Sequence, residues 1–115
     1  MGKETEGQKY KRLDAEYEKL LLSSNTDMDL IEKRREELEE IENTFVNRNL
    51  EGKELEKAGK IDEAIALYEK NIKEEFDGKH PYIRLAIIYR KRKLFDDEAR
   101  VLNKLKDLKM NKKGD

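Results

Sequence analysis

The chain has no cysteine, one proline and six glycines in its 115 residues. The missing cysteine excludes a disulfide framework, a thiolate-held zinc site and a thiol nucleophile, and it fits a reducing compartment. Scarce proline and glycine favour long helices over a turn-rich fold. The one histidine, His80, leaves no partner for a His-based metal site, and its nearest carboxylate, Asp77, belongs to a turn. No stretch approaches the roughly 20 apolar residues of a membrane-spanning helix. The opening Met-Gly-Lys-Glu-Thr-Glu-Gly has no apolar run, so it does not read as a signal peptide. The expectation is one soluble cytoplasmic domain with no membrane contact.

What is abundant is charge, at 46% of residues. Such a composition can mean disorder, but here the apolar residues recur at helical spacing. The charge is unevenly placed. Residues 1–79 hold 15 basic and 22 acidic side chains, whereas residues 80–115 hold 11 and 5. The plain reading is solvated helix faces; the sharper one is a basic end that meets an acidic ligand.

The spacing predicts helices along the whole chain and no sheet. Residues 1–7 read as frayed. Tyr10, Leu13, Tyr17 and Leu20 form a seam over residues 8–23, and Ser23 to Thr26 breaks it. Thr26 with Asp29 resembles a capping box opening a second helix over 27–48, whose seam is Ile31, Leu38, Ile41 and Phe45. Residues 1–48 thus form an antiparallel hairpin, with Leu22 and Leu30 left to touch something else. A third helix is expected over 49–58, ended by Gly59. A fourth starts near Ile61 and ends near Phe76 to Gly78. A fifth opens at His80-Pro81, with proline in its favoured first turn. After Lys93 to Asp96 a sixth carries Ala99, Val101, Leu102, Leu105 and Leu108. Residues 111–115 read as a flexible basic tail.

Residues 49–110 contain two imperfect copies of one helix-turn-helix unit. The first carries Gly52-x-x-Leu55, then Gly59-x-Ile61-x-x-Ala64-x-x-x-Tyr68; the second carries Tyr82-x-x-Leu85-Ala86-x-x-Tyr89. Together they resemble the tetratricopeptide repeat, with its period of about 34 residues. The resemblance implies that Gly52 and Ala86 let neighbouring helices approach. It gives Ala64 and Ala99 the same role on the partner helices. Leu55 would pack with Tyr68, and Tyr89 with Phe95 and Leu102. Departures are Arg48 in place of a large aromatic, Glu51 in place of Leu, and one extra residue before Ala99. The N-terminal hairpin would cap a stack too short to stand alone.

No catalytic constellation emerges. A phosphate loop, a Ser-His-Asp set and a paired-His motif are all missing. Asp62-Glu63 and Asp96-Asp97-Glu98 sit at helix starts, where negative charge suits the dipole. Arg90 to Lys93 is the densest basic run, but helical geometry spreads it around the axis, and stacking aromatics are not interleaved with it. The resemblance implies an interaction module, not an enzyme: a small adaptor, chaperone-like factor or inhibitor. It implies no cofactor and no metal. The family's inner surface, carried over by position, predicts contacts at Asn49, Lys53, Glu56, His80, Ile83, Arg84 and Ile87. Ile83 and Ile87 would anchor a hydrophobe, while Arg84 and Lys53 take a carboxylate from an acidic partner. Two alternatives stay open: a nucleic-acid-associated factor using the basic end, and a homodimer through the N-terminal hairpin.

Overall fold

The computed structural model describes residues 2–23 and 27–113. They form five helices: α1 Glu6–Leu22, α2 Met28–Lys57, α3 Ile61–Lys73, α4 His80–Lys91 and α5 Phe95–Lys113. The fold is all-α, with each helix packed on the next in sequence. Short connections make successive helices antiparallel, and the stack measures 55 × 32 × 27 Å.

The expected second and third helices are one continuous α2. Around the expected break, residues 46–50 contain neither glycine nor proline. Continuity also keeps Phe45, Asn49 and Gly52 on one buried stripe against α3, so interrupting the helix there would divide that stripe. Two cores result. Leu13, Leu38, Ile41 and Phe45 fill the α1–α2 hairpin, as the seams predicted. A larger cluster of Ala64, Tyr68, Ile72, Tyr82, Leu85, Ala86, Ile88, Tyr89 and Val101 joins α3, α4 and α5.

The N-terminus is better ordered than expected. Thr5 and Gln8 form a reciprocal capping box: the Gln8 N–H donates to Thr5 Oγ1 (3.1 Å) and the Thr5 N–H donates to Gln8 Oε1 (3.0 Å). The Gly7 N–H donates to the Glu74 carbonyl at 2.7 Å, which seats the start of α1 on the end of α3. The proposed cap at Thr26 falls outside the described residues; the observed cap is Asp27, which accepts from the Leu30 N–H. The expected basic tail is helical through Lys113.

Three helix ends share one device. After α2, α3 and α4, the residue past the cap adopts positive φ: Gly59 (78°), Glu75 (62°) and Lys93 (61°). In each case that residue's own N–H and the next one return to carbonyls of the last turn, the Schellman pattern. Glycine at the first of these was expected; glutamate and lysine at the others were not.

The register of α5 also departs from expectation. Ala99 is exposed, as are Phe95 and Leu102, while Glu98 is buried and Val101 fully so. Glu98, not Ala99, stands 34 residues after Ala64. The Arg90 Nε donates to the Glu98 carboxylate at 2.5 Å, which compensates burial of the charge.

Candidate interaction surface

A carboxylate on α2 ties three helices together. Glu56 Oε2 accepts from the Tyr68 hydroxyl of α3 (2.6 Å) and from Arg84 Nε of α4 (3.1 Å), while Oε1 accepts from Arg84 Nη2 (2.5 Å). The Arg84 hydrogen bonds hold the Glu56 carboxyl below its ordinary range despite burial. Burial, then the Glu56 hydrogen bond, pushes the Tyr68 hydroxyl up. One step along the stack, Glu69 of α3 accepts from Tyr89 of α4 and from Arg100 of α5. Burial alone would raise the Glu69 carboxyl, but those two donors bring it below its ordinary value.

This arrangement places the seven expected contact residues differently. Asn49 is buried and cannot meet a partner: Asn71 Nδ2 donates to its Oδ1 at 2.9 Å. Arg84 is engaged by Glu56 in a two-bond fork, so it is not presented as an open receptor for a partner's carboxylate. His80 is half-buried, edge-on to the Tyr68 ring with centroids 5.5 Å apart. Burial and the cations Lys53 and Arg84 lower its pKa, which keeps the imidazole neutral near pH 7. Lys53, Ile83 and Ile87 are exposed.

Two further residues belong with them. Val46 and Leu50 are exposed on α2, and helical spacing puts Val46, Leu50 and Lys53 on one stripe. His80, Ile83 and Ile87 share a stripe on α4 by the same rule. The Glu56–Arg84 bridge links α2 to α4, and the charge of Lys53 acts on His80. Val46, Leu50 and Lys53 on α2, with Ile83 and Ile87 on α4, make up the exposed α2–α4 band. An i, i+4 aliphatic pair lying off the Leu38–Ile41–Phe45 seam was the available signal for its first two members.

Other surface features compete. Leu21, Leu22 and Met28 are exposed at the α1–α2 tip, and Leu94, Phe95 and Leu102 at α5. Two of the four cations in the basic run are engaged within the molecule: Arg90 pairs with Glu98 and Arg92 with Asp62 at 2.6 Å. Among the described residues, no group of three or more carboxylate or imidazole side chains is placed to hold a metal ion, and no helix is long and apolar enough to cross a membrane. Comparison of the chain with family models, curated proteins and solved structures gives no match.

Proposed function

We propose that the protein is a protein–protein interaction module, a small tetratricopeptide-like adaptor or chaperone-like factor that binds its partner along the α2–α4 band. The observation that carries the reading is the exposure of aliphatic side chains in i, i+4 pairs on α2 and α4. Val46, Leu50, Ile83 and Ile87 are 38%, 54%, 42% and 37% exposed. Single exposed aliphatics need no explanation, but two on one stripe of α2 with Lys53, and two on one stripe of α4, on helices joined by the Glu56–Arg84 bridge, give a surface that suits an elongated partner. The repeat-like pattern supports the same face, because the family's ligands lie on the first helix of each repeat. Lys53 gives that face a cation for an acidic residue of the partner. The lack of cysteine fits a cytoplasmic setting.

The test is partner capture by the Ile83→Asp, Ile87→Asp double variant. Capture should fall at least tenfold, about 1.4 kcal/mol; the melting temperature should fall too, because each side chain is more than half covered, so retention of the helical fold is checked by circular dichroism at the assay temperature. If capture survives there but is lost in a Leu22→Asp, Met28→Asp variant, recognition belongs to the hairpin tip. Sedimentation of both variants would then report whether that tip makes a homodimer.

A further inference from the structure

A cavity of about 200 Å³ opens where α1, α2 and the α3–α4 connection meet. Tyr10, Phe45 and Phe76 supply aromatic surface, and Glu42, Glu75 and Asp77 supply carboxylates. Lys11 is the one cation among the lining residues, so three carboxylates face a single ammonium. The volume is below the 300–1,000 Å³ or so of small-molecule pockets. It suits the end of one side chain.

The walls are held before any ligand arrives. Glu75, at φ 62°, reverses the chain after α3, and its N–H and that of Phe76 return to the Ile72 and Asn71 carbonyls. This reversal lays Phe76 against Phe45, with ring centroids 4.8 Å apart and planes tilted by 31°. Thr5 Oγ1 donates to Glu75 Oε2 at 2.8 Å, and the Gly7 N–H fixes α1 beside it. Tyr10 reaches Glu42 with a long contact of 3.5 Å, weak enough to yield to a better donor. Burial, followed by the charges of Glu42, Asp14 and Asp77, raises the Tyr10 pKa, so the negative field is felt inside the site.

Aromatic faces with carboxylates attract cations. A slim alkyl stem ending in a compact ammonium fits a volume of about 200 Å³ more readily than the broader planar guanidinium. An ammonium with three rotatable donors on a slim apolar stem meets this geometry. Glu42 lies one helical turn before Val46 on α2, so the cavity continues the band. We propose that the cavity receives the lysine side chain of a bound partner, with the lysine stem against Tyr10 and Phe76 and its ammonium among Glu42, Glu75 and Asp77. As a statement about partners it rests on the interaction reading above; as a binding site it is tested alone.

The experiment is an amide NMR titration of the full chain with Nα-acetyl-lysinamide, Nα-acetyl-norleucinamide and cadaverine. The lysine compound should give saturable shifts at Gly7 and residues 75–77 at millimolar concentration, and the neutral compound should not. Glu42→Gln should weaken that binding at least twofold. Lys11→Glu should tighten it at least twofold, and as an exposed change it carries little risk to the fold. The Ile83→Asp, Ile87→Asp variant should bind the lysine compound unchanged, which separates failure of the band from failure of the cavity. No saturable shift, equal shifts with norleucinamide, or binding of cadaverine without lysinamide would each overturn the proposal.

Discussion

Gly52 of α2 lies directly against the ring of Tyr68 of α3: a β-carbon at Gly52 would stand 2.5 Å from Cε1 and 2.7 Å from Cζ. Tyr68 is fully buried and its hydroxyl is bonded to Glu56, so the ring cannot withdraw freely. Gly52→Ala gains about 1 kcal/mol of helix propensity against an overpacking cost of about 1–3 kcal/mol. The overpacking wins, and the melting temperature should fall. In a Tyr68→Leu background the same alanine should cost less; an equal cost in both backgrounds would disprove the contact.

The left-handed residues past the helix ends give opposite predictions at equivalent places. Lys93 is exposed at φ 61°, a conformation costing an L-residue roughly 1–2 kcal/mol. Lys93→Gly should therefore raise stability by up to about 1 kcal/mol, after the added entropy of the unfolded chain. Gly59→Ala, at φ 78°, should lower it by about the same amount. Denaturant midpoints of the two variants should move in opposite directions.

Stability should decline at both ends of the pH scale. Glu56 and Glu69 are held below their ordinary value of 4.5 in the folded state. Their contribution is full above 4.5 and is lost as pH falls through their folded values. Tyr82, which burial pushes up to about 12 from 10.0, keeps its proton longer when folded. Its contribution is full below pH 10 and is lost as pH rises toward 12. Tyr68 and Tyr89 are raised by burial and by their carboxylate partners, and so act in the same direction. Thermal melts across pH should show both slopes, with the acid slope shallower in Glu56→Gln.

Asn71 is fully buried and joins α3 to α2. Its Nδ2 donates to the Phe45 carbonyl (3.0 Å) and to Asn49 Oδ1, and its Oδ1 accepts from Arg48 Nη1 (3.1 Å). Asn71→Leu strands those partners, at about 1–3 kcal/mol for each buried group left unsatisfied. Adding Asn49→Leu should recover part of the loss, because it removes one stranded acceptor. Chemical denaturation of the single and double variants measures the recovery.

Much of the helical layout was legible in the sequence because it depends on local chemistry. Pro81 fits only a first turn, Gly59 accepts the positive φ that ends α2, and Leu13, Leu38, Ile41 and Phe45 repeat at the helical period. Thr5-x-x-Gln8 carried a capping box equally openly, although the segment read as frayed. Of the exposed residues on α2 and α4, Ile83, Ile87 and Lys53 were named from the sequence, whereas Val46 and Leu50, lying off the main seam, were not.

What the tertiary structure alone decided depends on partners far apart in sequence. Nothing local distinguishes Asn49 from an exposed asparagine; Asn71, 22 residues on, buries it. Arg84 reads as an open cation until Glu56, 28 residues earlier, is found to hold it. Glu98 and Ala99 are adjacent, and residue type favours burying the alanine. Packing of Val101 and the charge of Arg90 turn the helix the other way. The cavity belongs to this second class, since its aromatic and acidic walls come from three separate segments that only the folded stack brings together. Local propensity set where helices run; long-range charge pairing and packing set which face of each helix is left exposed.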